Sequence, residues 1–180
     1  GAGNSATTSG QFSVIDIATA NYTVLDRSAA LALIDENGHA EIPETYTTIA
    51  SNAFQNRSSL TSVSIPNSVT HIESSAFSGS SLRSVIIPNS VIYLGERAFQ
   101  NTPLNEVTLS SSIDTIPRYT FYGTNLTSLI IPDSVTTIED YAFQNLPIQH
   151  LYIGDSLNSI SNGNFGIGSD CSRLITAEIK

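Results

Sequence analysis

The side chains able to do chemistry are few and far apart. His39, His71 and His150 form no H-x-x-x-H pair, the spacing that would set two imidazoles on one helix face around a metal. The single cysteine, Cys171, excludes an intrachain disulfide and a multi-cysteine zinc site. Nothing beside it in sequence would stabilise a thiolate, so it reads as a buried inert thiol. Glu139 and Asp140 are adjacent carboxylates, but Asp140 falls 22 residues after Arg118 and 44 after Glu96, which reads as a surface charge ladder rather than an acid–base pair. Tyr119 and Tyr141 have the same spacing and are expected to stack. No phosphate loop or nucleophile motif is present. The N-x-[ST] triplets at Asn21, Asn56 and Asn125 are what chance supplies in a Ser/Thr-rich chain. These residues point to no metal, no cofactor and no enzyme.

Composition narrows the classes further. The chain has 180 residues, 40% of them hydrophobic, enough for one domain with a substantial core. Only 13% are charged and the net charge is −9, with seven Lys plus Arg against 16 Asp plus Glu. Nucleic-acid binding depends on clustered cations, as does attraction to anionic lipid, so both are disfavoured. No apolar run reaches the ~18 residues of a membrane span, and no charged n-region with an apolar h-region opens the sequence. Residues 1–10, GAGNSATTSG, read as a flexible linker, of the kind that follows a signal or lipid-anchor segment.

What must position any functional residue is a repeat. Phe54, Phe77, Phe99, Phe121, Phe143 and Phe165 are separated by 23, 22, 22, 22 and 22 residues. Three further ladders keep the period: Leu60, Leu82, Leu104, Leu126 and Ile148; Ile42, Ile65, Ile87, Leu109, Ile131 and Ile153; and Ile49, Ile72, Leu94, Ile116, Ile138 and Ile160. Within one unit Leu60, Val63 and Ile65 follow the L-x-x-L-x-L spacing of a strand. Pro66 ends the strand by removing a ladder donor, and Asn67-Ser68 form a turn. Ala76-Phe77 place a small and a large side chain at the far side of the coil. No unit buries these residues alone; stacking sets each above its copy, roughly 4.8 Å away.

The segments IPNSVTHIESSAF, IPNSVIYLGERAF and IPDSVTTIEDYAF, each beside an LxxVxI-type strand, resemble the BspA-like leucine-rich repeat family over roughly Glu41 to Lys180. Ser110 and Gly154 depart from the pattern by replacing its proline, and Cys171 matches the family's cysteine before the strand. The resemblance implies a β-rich, right-handed leucine-rich repeat solenoid of about six coils with little α-helix. It also implies a bacterial surface or secreted protein that attaches to host matrix proteins, such as fibronectin or fibrinogen, or to other cells.

The ends differ from the repeat. Residues 11–40 are expected to form an N-terminal β cap ahead of a solenoid spanning 41–180, because a solenoid's first core layer needs cover. Phe12 to Ile17 and Tyr22 to Leu25 alternate as strands; Ala29 to Ile34 is open between short helix and strand; Glu36-Asn37-Gly38 is a turn signal. Leu174, Ala177 and Ile179 make one more strand, an edge guarded by Arg173, Glu178 and Lys180 or covered by another chain in self-association.

Between the inward residues lie columns that face solvent. One reads Glu41, Ser64, Ile86, Thr108, Ile130, Tyr152, Glu178; beside it run Ser62, Ser84, Glu106, Ser128, His150 and Arg83, Asn105, Thr127, Gln149. A central apolar strip with a polar rim suits a partner surface, and the expected contacts are Arg83, Ile86, Glu106, Thr108, Ile130, His150 and Tyr152. The competing explanation is that β-branched and aromatic residues favour strands and cover one another. The leading expectation is a non-enzymatic protein-binding module of adhesion type. A structural, self-assembling spacer is the alternative, and a carbohydrate-binding module using Tyr152 is weaker in a chain with no Trp.

Overall fold

The computed structural model describes residues 23–161, 163 and 176–179. The strand expected at Phe12 to Ile17, the linker 1–10, Phe165 and Cys171 lie outside these residues. Strands come in two series that alternate along the chain. The first comprises β2 (His39–Glu41), β4 (Ser62–Ser64), β6 (Ser84–Ile86), β8 (Glu106–Thr108), β10 (Ser128–Ile131), β12 (His150–Ile153) and β14 (Thr176–Ile179). The second comprises β1 (Val24–Leu25), β3 (Thr48–Ile49), β5 (His71–Ile72), β7 (Tyr93–Leu94), β9 (Thr115–Ile116), β11 (Thr137–Ile138) and β13 (Ser159–Ile160). Every strand pair is parallel and in register with the repeat, as in Val85 opposite Val107 and Ile49 opposite Ile72. The described residues therefore form a β-solenoid with one short helix, as the period requires.

The inward columns make one continuous core. Leu60, Leu82, Leu104 and Leu126 are fully buried, as are Ile49, Ile72, Ile116 and Ile138. The phenylalanines stack face to face along the axis, with ring centroids 5.2, 5.2, 5.7 and 5.9 Å apart from Phe54 through Phe143 and rings within 6° of parallel. Small neighbours, Ala53, Ala76, Ala98, Thr120 and Ala142, leave room for these rings and are themselves buried. The hydroxyl that Thr120 adds to the core donates to the Pro117 carbonyl at 2.7 Å, which removes the cost of burying it.

The phenylalanine side of each coil is a turn of fixed backbone pattern. Residues 52, 75, 97, 119, 141 and 163 share one left-handed column, and 56, 79, 101, 123 and 145 share another. These bends send alternate N–H groups along the axis. Phe54 N donates to Ala76 O at 2.7 Å, Phe77 N to Ala98 O at 2.8 Å and Phe99 N to Thr120 O at 3.0 Å. The N–H groups between them close on their own coil, as Ala53 N does on Ala50 O. The second left-handed column holds Asn56, Gly79, Asn101, Gly123 and Asn145, residue types that tolerate this conformation. In the first, Arg97, Tyr119 and Tyr141 adopt it without that tolerance. Their side chains compensate by stacking: Tyr119 and Tyr141 lie 5.1 Å apart, and the Arg97 guanidinium sits 5.0 Å from the Tyr119 ring.

The two departures from the proline pattern are locally satisfied. Ser110 Oγ donates to Val91 O at 2.7 Å and accepts from Ser112 N at 3.1 Å, holding the turn by hydrogen bonds instead of a ring. Gly154 packs so closely on the Asp133 backbone that a Cβ there would meet the Asp133 Cα at 2.6 Å.

The stretch Ala29 to Ile34, readable either way, is mostly helical: α1 spans Arg27–Ala32. Asp26 caps it by accepting from Ala29 N at 2.9 Å. Ala30 is its buried contact with the core. In the phenylalanine turns axial hydrogen bonds run from each coil's N–H to the following coil's carbonyl, and among the described residues the first such turn receives no backbone donor from a coil before it. Arg27 donates to Asn52 O at 2.7 Å and to Gln55 O at 3.3 Å, and of the carbonyls in the axial positions, Ser51, Ala53 and Gln55, it reaches the last. The β1 strand sits parallel on β3, extending the second strand series by one member.

Gly79 tests the turn. It is left-handed at φ 67°, and a Cβ there would run into the Asn56 carboxamide of the preceding coil. Gly79→Ala is expected to lower unfolding free energy by about 1–2 kcal/mol from the backbone conformation alone. Urea unfolding of the two proteins measures this; equal midpoints would show that the turn does not require the glycine.

Candidate functional site

The strand series β2 to β12 forms one face, and its outward columns carry all seven residues expected to make contacts. Ile86 and Ile130 are 70% and 69% exposed, and Tyr152 is 44% exposed. Arg83, Glu106, Thr108 and His150 are exposed too. Register brings some of them together: Ser84 is opposite Glu106, Ile86 opposite Thr108, Ser128 opposite His150 and Ile130 opposite Tyr152. Ile86 and Ile130 are two strands apart, with Thr108 between them. If these side chains merely covered one another, the isoleucines would be shielded. Their exposure shows that small neighbours, Ser64 and Thr108, leave Ile86 standing free.

The face is interrupted in a way the sequence pattern does not signal. β2 pairs with β4, β6 with β8, and β10 with β12 and β14, but no ladder joins β4 to β6 or β8 to β10. A cleft lies at each break. One, of about 430 Å³, is lined by Ser62, Ser64, Ser84, Val85, Ile86, Glu106 and Thr108 among others. The other, of about 310 Å³, is lined by Glu106, Val107, Thr108, Ser128, Leu129, Ile130 and Pro132, with Leu109. Val63 and Val107 are only half-buried, whereas Val85, Leu129 and Leu151 in the same inward column are buried, so these two floor positions are accessible. A third depression of about 340 Å³ lies between Ile130 and Tyr152, with Asp133 and Asp155 at its rim.

At the first rung a hydrogen-bond network ties β2 to β4. One His39 ring nitrogen, Nδ1, lies 2.8 Å from Ser62 Oγ; Nε2 lies 3.2 Å from Ser64 Oγ and 3.3 Å from Glu41 Oε2. The order serine, imidazole, carboxylate is that of an activated nucleophile. The Glu41 side chain is 73% exposed, so it orders the ring without the desolvated field that such chemistry draws on. The network reads as a brace between strands. His39 stood outside the repeat register in the sequence reading. Its signal is arithmetic: 39 and 41 precede Ser62 and Ser64 by the same 23 residues that separate Phe54 from Phe77.

Electrostatics follow these contacts. The Ser64 hydroxyl, and then the His39 ring, hold the Glu41 carboxyl below its ordinary range. Asp35 is likewise lowered, chiefly by the His39 amide it accepts at 2.9 Å, with the Asn37 amide at 2.8 Å adding to it. On another side of the coil, the expected ladder Glu96, Arg118, Asp140 is only partly joined. Arg118 Nη2 meets Asp140 Oδ2 at 2.8 Å, while Glu96 turns to its neighbour Arg97 at 3.3 Å. Among the described residues no group of three or more His, Cys, Asp or Glu is placed to hold a metal ion, and no helix is long and apolar enough to cross a membrane.

Comparison with known proteins agrees with this geometry. The family profile of the BspA type leucine rich repeat region matches residues 40–175 in six copies. No curated protein sequence matches the chain. Among solved structures, a leucine-rich repeat protein from Eubacterium ventriosum is similar at 19% identity and TM-score 0.59, covering 82% of this chain and 46% of that one. One from Bacteroides ovatus is similar at 22% identity and TM-score 0.53, covering 79% and 49%. The pneumococcal vaccine antigen PcpA is similar at 21% identity and TM-score 0.51, covering 78% and 39%. The present chain thus spans less than half the length of each of these three, and the likeness is one of fold.

The Glu41 brace yields a titration with a definite sign. A carboxyl lowered in the folded state contributes its stabilisation above its unfolded value and loses it as pH falls through the folded one. Carboxyl-carbon NMR should find Glu41 titrating below the ordinary glutamate range, and Ser64→Ala should raise it. An unchanged value in that variant would remove the hydroxyl as the cause.

Proposed function

Because this chain belongs to the BspA-type leucine-rich repeat family, we propose that it is a non-enzymatic protein-binding module, secreted or displayed on a bacterial surface, whose strand face docks a partner protein. The observation that carries this reading is the exposure of Ile86 and Ile130, 70% and 69%, in the middle of a face whose other outward side chains, Tyr152 apart, are polar or charged. Burying large aliphatic side chains on association contributes about 1.5–3 kcal/mol each. Tyr152, placed opposite Ile130, adds an aromatic anchor of the kind enriched at interaction hot spots. Arg83, Glu106, Thr108 and His150 supply the polar rim that fixes orientation. The partner class is a host extracellular-matrix or cell-surface protein.

The test is a binding screen of the purified chain against immobilised matrix proteins, fibronectin and fibrinogen among them, beside a variant carrying Ile86→Ser, Ile130→Ser and Tyr152→Ser. These side chains face solvent, so thermal unfolding should change little. Loss of at least tenfold in affinity is expected for any matrix protein the parent binds. Equal binding by both chains would remove the strand face from the function. Binding by neither, together with concentration-dependent self-association in light scattering, would favour the scaffold instead.

A further inference from the structure

Among the described carboxylates of the face, one stands between the two clefts at the ladder breaks. Glu41 is engaged by His39 and Ser64, as described above. Asp133 caps a turn by accepting from Asp155 N at 3.2 Å. The Glu106 carboxylate, by contrast, is exposed and, among the described residues, meets no hydrogen-bond or ion-pair partner. It also lines both of the clefts at the ladder breaks, the one of about 430 Å³ and the one of about 310 Å³. Its same-column neighbours are Ser84 on β6 and Ser128 on β10, too short to shield it. Its diagonal neighbours are Ile86 and Ile130, which wall the two clefts with aliphatic surface.

A free carboxylate between aliphatic walls, above a floor with the half-buried Val107, has a definite complement. Lys and Arg bury an aliphatic stem along apolar surface while keeping a charged head at a polar site. The charge balance of the whole chain, −9, attracts such a partner and repels an acidic one. Arg83, the nearest cation in sequence, precedes β6 and lines neither cleft. We propose that the strand face recognises an extended, basic segment of its protein partner, with a Lys or Arg side chain seated between Ile86 and Ile130 against Glu106. This inference rests on the strand face being the docking surface and adds the chemistry of what docks.

The probe is a synthetic nonapeptide alternating threonine and lysine, with its threonine–glutamate counterpart as control, titrated into the 15N-labelled chain. The lysine peptide should shift the amides of Ser84, Glu106 and Ser128, and the glutamate peptide should not. E106Q should weaken the lysine peptide about threefold to fivefold, the range of a solvent-accessible ion pair, without altering the unfolding temperature. Absence of shifts at these amides, equal shifts from both peptides, or equal affinity in E106Q would overturn the proposal. Its failure is separable from that of the docking surface. If the lysine peptide fails but the Ile86, Ile130 and Tyr152 triple variant still loses matrix binding, only the basic partner falls. If the triple variant binds as the parent does, the surface itself is wrong.

Discussion

Everything in this molecule depends on one requirement: the backbone donors of each coil must meet the carbonyls of an adjacent coil. In the phenylalanine turn this is done by three N–H groups per coil, such as those of Asn52, Phe54 and Asn56, which reach Ser74, Ala76 and Ser78. Buried backbone groups left unpaired would each cost about 1–3 kcal/mol, so a coil that fell out of register would lose several at once. Register in turn fixes every side-chain column. The phenylalanine stack, with centroid spacings of 5.2–5.9 Å, follows from the hydrogen bonds as much as it supports them.

The same requirement explains the strained positions. Two residues per coil must be left-handed for the N–H groups to alternate between their own coil and the next. One column meets this with Asn and Gly. The other accepts Ser75, Arg97, Tyr119 and Tyr141, residues that pay about 1–2 kcal/mol for the conformation. Strain of this kind often marks a functional site, but here it recurs at every coil and is therefore a property of the turn. The Tyr119 and Tyr141 rings stack along the axis and Gly163 packs closely on the Tyr141 ring, so this column is filled by its own members.

How much of this was legible in the sequence depends on whether a feature belongs to one coil or to the relation between coils. The inward columns Leu60 to Leu126 and Phe54 to Phe143 were legible because a period repeated in several registers leaves no other arrangement that buries them. The outward placement of Ile86, Ile130 and Tyr152 followed from alternation within a single strand. The breaks between β4 and β6 and between β8 and β10 were not legible, since they depend on separations between backbones whose sequences, Ser62–Ser64 against Ser84–Ile86, give no sign of it. The charge column Glu96, Arg118, Asp140 failed at its first member because Arg97, adjacent in sequence, is a nearer partner than one a coil away. Helix α1 was ambiguous because its six residues are too few for a helical period to emerge; its N-cap Asp26 acts locally, and Arg27 adds tertiary hydrogen bonds to the first phenylalanine turn.

The division between inward and outward columns also determines where function can change. Replacing an inward residue alters a stack shared by neighbouring coils, so its cost spreads beyond one unit. From β6 onward, replacing an outward residue on the strand face changes only the surface relief, because neither the ladder hydrogen bonds nor the core uses that side chain, whereas Ser64 is held in the His39 brace. The sequence of outward residues Ile86, Thr108, Ile130, Tyr152 is therefore free of the repeat's constraint, and it is irregular where the inward columns are monotonous. Alternation of small and large at these positions sets clefts beside isolated aliphatic walls. A solenoid of this type separates the residues that make it fold from the residues that can give it a partner, and the departures from monotony on one face are where recognition has room to be written.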